Sequence, residues 1–211
     1  TPLLEKFWRH GLFDKMSSRY FRLIDRSEGL AESLTIDCLQ SFDRDVLFHQ
    51  FKTVFDRPQT KSYINKMTYF DQKTLLPALL QVEDRVSMGA SIEARVPLLD
   101  TRIAELVAKM PPRMKFEGGE TKFIFKKAVS DVLPTSVRQR HDKMGFPIPL
   151  AEWAKSGIVR DFVSDILTSE SSRSRCIFKP TVLANMIDKP GTASRQLWGA
   201  LSLELWHRRF I

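Results

Sequence analysis

Residues 69–100, YFDQKTLLPALLQVEDRVSMGASIEARVPLLD, set an apolar helical pattern beside clustered charges and close on a rigid turn from Arg95 to Asp100. Leu75, Leu76, Leu79, Leu80 and Val82 recur at helical spacing and predict one apolar face. Pro77 is compatible with that helix if it falls in the first turn, where its missing N–H costs nothing. Asp84 and Arg85 follow directly, and Met88 returns to the apolar face, so the charged pair is expected close to the protein body. Two readings of the pair stand: an ion pair fixing a helix end, or one wall of a site for a charged small molecule. Beyond it, Ile92, Ala94 and Val96 alternate with Ser91, Glu93 and Arg95, a short strand-like pattern that would put the three polar side chains on one side. Glu93 and Arg95 could then hold the ammonium and carboxylate of an amino acid, the Arg by a bidentate fork, or pair with each other.

Outward from this stretch the pattern stays helical. Asp100 or Thr101 can cap a helix with Ile103, Leu106, Val107 and Met110 on its inner face, ended by Pro111-Pro112. Gly118-Gly119 fits a tight turn before a helix opened by Thr121, which carries Ile124, Phe125, Ala128, Val129 and Val132 inside and closes at Pro134. Its Lys122 and Lys126 face is expected to look outward. Ile158 to Leu167 and Leu197 to Leu205 read as two further core-facing helices. Residues 1–64 form a helical lead-in, with Phe7, Leu12, Phe21 and Leu23 in its first part and Val46, Leu47, Phe51 and Phe55 in its second. The Ser- and Arg-rich segment 168–180 is expected to be a mobile loop. A mainly α fold, organised as a single helical domain or subdomain over 1–211, is the expectation.

The composition, 43% hydrophobic with 15 Phe and 4 Trp, suits a globular core and argues against disorder or a fibrous class. Cys38 and Cys176 form no CxxC pair and predict two reduced, partly buried thiols rather than a disulfide framework or a metal site. No apolar run of membrane-spanning length and no export signal is visible, so a cytoplasmic location and no membrane partner are expected. Lys and Arg number 33 against 25 Asp and Glu, a net charge of +8 that raises the question of a polyanionic partner. The basic spots at Arg138–Lys143, Arg173–Arg175 and His207–Arg209 form no continuous stripe and interleave with no aromatics, so nucleic acid ranks last among partners. No Walker loop or dinucleotide fingerprint occurs.

Lys143 has a distinct setting. Arg138, Arg140 and His141 precede it, and Gly145, Pro147 and Pro149 follow it in a loop of restricted shape. A lysine there is either a solvated side chain or a positioned point charge suited to phosphoryl or adenylyl transfer.

Taken in order, Tyr69, Asp71, Leu75-Leu76, Asp84-Arg85, Ser87-Met88, Ser91, Glu93, Arg95, Pro97 and Leu99-Asp100 resemble the asparagine synthase domain family, of the glutamine-hydrolysing asparagine synthetase B type. The resemblance continues through Gly119 to Lys122, Leu133-Pro134, the Lys143, Gly145, Phe146, Pro149 and Trp153 loop, and the closing run from Leu197-Trp198 to Phe210. It spans residues 65–211.

That resemblance implies the helical C-terminal portion of an α/β synthetase domain of the ATP-pyrophosphatase (adenine nucleotide alpha hydrolase-like) type. The implied reaction adenylates the side-chain carboxylate of aspartate with Mg²⁺-ATP, releases pyrophosphate, and lets ammonia from a glutaminase domain displace AMP. By resemblance Lys143 is the catalytic lysine, and Glu93, Arg95, Asp84 and Arg85 lie near the substrate or order the site wall. A homodimer is compatible with it. The family's Ser-Gly-Gly-x-Asp-Ser loop and acidic Glu-Gly-x-Asp-Glu segment occur nowhere in the 211 residues. The expectation is therefore one part of a longer amidotransferase, inactive alone, with Thr1 a boundary rather than a nucleophile. A non-catalytic relative that binds a partner through its helical surface is the alternative.

Overall fold

Proline placement sets the first boundaries. A continuous helix through residue 74 would drive the Pro77 ring into the carbonyl of Lys73, and the chain instead breaks at Thr74, between helices Tyr63–Lys73 and Leu75–Gly89. The Thr74 hydroxyl closes the first of them by donating to the Phe70 carbonyl at 2.8 Å. Pro77 thus sits in the first turn of the second helix, where it is tolerated. The computed structural model describes residues 13–25, 27, 29–57, 59–140, 149–191 and 194–211. Among them the fold is mainly helical, with a single two-residue hairpin.

The chain divides into two units. The first takes described residues between Thr1 and Ile24 and between Asp45 and Lys143. Its core is aromatic: Tyr20 of helix Met16–Ile24 meets Phe51 and Phe55 of helix Arg44–Phe55. The Tyr20 and Phe55 rings stack with centroids 5.4 Å apart, and Phe51 and Phe55 lie 5.0 Å apart. The spacing of Phe48, Phe51 and Phe55 at three and four residues puts them on one helix face. Phe70 meets Tyr20 edge-on, and the Tyr20 hydroxyl donates to Asp71 Oδ1 at 2.8 Å, so the buried phenol is satisfied.

Asp100 caps helix Thr101–Lys109 by accepting from the Arg102 N–H at 2.9 Å, and Pro111-Pro112 follows its end. Strands Phe116–Glu117 and Glu120–Thr121 pair around Gly118-Gly119, both at positive φ, as a tight turn requires. The helix expected to open at Thr121 starts later, at Phe123, because Lys122 adopts φ 60, ψ 30 and Thr121 is taken by the hairpin. It ends at Ala128, and Val132 is 80% exposed instead of lying inside. Lys126, expected to face outward, bonds Glu120 at 2.7 Å.

The second unit takes described residues between Asp25 and Arg44 and between Met144 and Ile211. Helices Gly157–Leu167, Pro180–Asp188 and Ser194–Phe210 bury Val163, Leu167, Leu183, Met186 and Leu197 against one another. Leu34 is tied to Phe178 through two backbone bonds, Thr35 N–H to Ile177 O and Lys179 N–H to Ser33 O, each 3.0 Å. The segment expected to be a mobile loop is ordered. Ser169 caps a short helix, Glu170–Ser174, and Arg175 binds Glu204 at 2.8 Å. Arg208 takes the other Glu204 oxygen at 2.9 Å. Two of the basic spots, through Arg175 and Arg208, therefore hold a buried carboxylate.

Cys38 and Cys176 are both free; Cys38 is partly buried, but Cys176 is exposed rather than partly buried. Among the described residues no helix is long and apolar enough to cross a membrane.

Candidate functional site

Helix Leu75–Gly89 carries the first two site candidates, and it buries no residue. Leu79 is 58% and Val86 71% exposed, with Leu75, Val82 and Met88 also exposed. The expectation that Asp84 and Arg85 sit against the protein body is therefore corrected: both are exposed, on a helix whose apolar face is largely open among the described residues, with Leu76 and Leu80 half-buried. Neither side chain forms an ion pair with another described residue.

The helix ends in a tight reversal. Ser91 takes a left-handed φ of 57, and the Ile92 N–H returns to the Ser87 carbonyl at 2.9 Å. From Ile92 to Val96 the chain runs outside any helix or ladder, so the short strand suggested by the alternation is not formed. Pro97–Leu99 then forms one 3₁₀ turn. Along this strap Glu93 and Arg95 meet: a guanidinium nitrogen of Arg95 lies 3.0 Å from one Glu93 carboxylate oxygen and 3.2 Å from the other. Both side chains stand well out in solvent. Residues two apart on an extended chain share a side, so the alternation left this pairing open beside ligand binding, and the pair forms. Of the four described site residues read from the sequence, Glu93 and Arg95 form an ion pair. Lys143 lies outside the described residues.

Electrostatically this strap is mild, and an exposed pair of this kind adds little stability. It does provide a paired anion and cation, open to solvent, that a zwitterionic ligand can exchange for its own ammonium and carboxylate. Asp100, one turn later, is held below the usual carboxylate range by hydrogen bonds from the Arg102 side chain and backbone. Among the described residues no group of three or more His, Cys, Asp or Glu could hold a metal ion. These residues do not fit a Mg²⁺ site, because the Glu93 carboxylate is engaged by Arg95, and Asp84 with its chain neighbour Glu83 on the exposed helix belongs to no metal-holding group of three among the described residues.

A feature without a sequence signal lies within the first unit. Helices Tyr63–Lys73 and Thr101–Lys109 border a cleft of about 560 Å³ lined by Arg57, Lys66 and Lys115 among others. Lys115 donates to Asn65 Oδ1 at 2.9 Å. Arg57 donates to the Tyr69 hydroxyl and lies over that ring, 5.8 Å from its centroid. The three cations are too far apart in sequence to form a motif, so only the folded chain groups them.

The asparagine synthase family model matches residues 3–208, which includes the lead-in before residue 65. The chain belongs to the asparagine synthase family. It is 31% identical over 191 residues to the glutamine-hydrolyzing asparagine synthetase 1 of Bacillus subtilis, covering 88% of this chain and 30% of that protein. Putative glutamine-hydrolyzing asparagine synthetases of Mycobacterium bovis and Mycobacterium tuberculosis are each 28% identical over 153 residues, 70% of this chain and 23% of theirs. The chain thus spans less than a third of the length of these curated relatives. No solved structure matches it. Asparagine synthase membership places the strap from Ser91 to Asp100 within a synthetase-type sequence rather than in an unrelated helical module.

Proposed function

We propose that this chain is the helical C-terminal part of an ATP-dependent, amide-forming synthetase that makes asparagine from aspartate. The parent fold is an α/β domain of the ATP-pyrophosphatase type. An aspartate side-chain carboxylate oxygen attacks the α-phosphorus of ATP, the α–β bond breaks, and pyrophosphate leaves. Ammonia derived from glutamine then attacks the acyl carbon of β-aspartyl-AMP, loses a proton, and AMP departs. Mg²⁺ and the phosphates are held by parts of the parent outside these residues, since the acidic groups described do not suit the ion.

This chain's own contribution is a wall. Lys143 supplies a cation to the charge that builds on the α-phosphate and acyl oxygens. Glu93 and Arg95 exchange their mutual pair for the ammonium and α-carboxylate of aspartate, a swap of charge-assisted bonds that fixes orientation. Asp84 and Arg85 order the adjoining wall. The observation that carries the reading is the open Glu93–Arg95 pair beside an apolar helix that the described residues leave largely exposed. A long apolar stripe facing water is the mark of a surface that a further layer of protein covers.

The partner-binding alternative predicts the same uncovered helix and no chemistry. The two separate on activity of the longer gene product. Lys143→Ala there lowers aspartate-dependent pyrophosphate release by about a hundredfold or more, the loss typical of one transition-state donor. Arg95→Leu raises the KM for aspartate in the same assay. A gene product that shows no such release in either form supports the partner-binding reading. The nucleic-acid reading is weakened by Arg175 and Arg208, whose charges are spent on Glu204.

A further inference from the structure

We propose that the cleft bordered by helices Tyr63–Lys73 and Thr101–Lys109 binds a small organic anion, whose phosphate or carboxylate is held by Lys115 and Arg57. At about 560 Å³ the cleft falls within the range of small-molecule sites. Arg57, Lys66 and Lys115 line it, and no carboxylate lines it among the described residues. Lys66 is neutralised by Asp56 at 3.0 Å, which leaves the other two cations uncompensated by any acid on the wall.

Lys115 is the anchor. Its side chain is half-buried, and its hydrogen bond goes to the neutral oxygen of Asn65. An ammonium carries three donors, so this bond leaves capacity for a ligand. Burial also pulls the lysine below its usual range, the signature of a cation short of compensating charge. An anion in the cleft supplies that charge. With its oxygen turned to Lys115, Asn65 offers its NH₂ as a further donor.

Arg57 is the second contact. The Tyr69 hydroxyl takes one of its donors, and the Tyr69 ring lies within cation–π range of the guanidinium. A guanidinium has five donors, so a face remains for an oxyanion. Phe55, Val107 and Ala108 also line the cleft and offer apolar surface for the ligand's organic body. Cations and apolar surface in one cleft describe a molecule larger than a free ion.

The inference goes beyond the amide-forming reading and does not depend on it. It is tested by NMR titration of the 211-residue chain with inorganic phosphate and, separately, with malonate. Saturable shifts are expected at the amides of Asn65, Thr68 and Lys115 with at least one probe. Phosphate alone assigns a phosphate ester, malonate alone a carboxylate, and both assign an oxyanion site of either kind. Lys115→Met weakens binding about tenfold or more, the scale of a lost charged hydrogen bond. If that variant does not fold, Arg57→Met, at an exposed position, gives the same readout. Lys155→Met, an exposed lysine of the second unit paired to Glu152, leaves the affinity unchanged. Non-saturating shifts with both probes, or affinities that survive both cleft variants, overturn the proposal. Pyrophosphate release plays no part in the readout, so its presence or absence leaves the test standing.

Discussion

Glu204 shows how a single residue can organise a surface that looks merely basic. Burial pushes its carboxyl up, but hydrogen bonds from Arg208 and Arg175 outweigh burial and hold it below the usual range. A carboxyl depressed in the folded state contributes stability that is present above its unfolded pKa of about 4.3 and is lost as pH falls through the folded value. Glu204→Gln removes the charge and leaves two guanidinium groups without their anion. The expected cost is about 3 kcal/mol in urea unfolding, with the acid-side loss of stability reduced in the variant. A change within about 0.5 kcal/mol, the scale of an ordinary surface substitution, would mean the cluster is decorative. None of this was legible beforehand: Arg175 lies 29 residues from Glu204, and Ser- and Arg-rich composition reads as a loop. Glu93 and Arg95 were legible because they lie two residues apart on extended chain, where geometry is local.

At the scale of elements, what was readable was punctuation. Pro77 in a first turn, Asp100 as a cap, Pro111-Pro112 as a stop and Gly118-Gly119 as a turn all act through their own backbone, and each does what local chemistry dictates. What was not readable was the cover on each apolar face. Periodicity reports that Leu75, Leu79 and Val82 share a face; it does not say what lies against that face. Among the described residues, helix Leu75–Gly89 holds no fully buried side chain, and Thr101–Lys109 likewise holds none. The double substitution Leu79→Lys with Val86→Lys is therefore expected to shift the unfolding free energy of the chain by no more than about 0.5 kcal/mol. Light scattering should show less self-association, because this exposed apolar stripe is broken. A loss of several kcal/mol would instead mean that the helix packs inward, and the uncovered-wall account would fall.

For the whole molecule, two units with cores of their own carry a synthetase-family sequence that covers less than a third of its relatives' length. The family was legible from motif order, since Asp84-Arg85, Glu93, Arg95 and Asp100 keep a fixed spacing whatever covers them. The cleft with Lys115 was not, because Arg57, Lys66 and Lys115 meet only after folding. The central claim is that this chain supplies a wall to a reaction whose phosphate-handling parts lie elsewhere in a longer protein. The most direct test is pyrophosphate release by the isolated 211-residue chain, supplied with ATP, Mg²⁺, aspartate and ammonia. The account predicts no aspartate-dependent release above background. Sustained release that depends on aspartate would contradict it, because the chain would then hold a complete adenylating site.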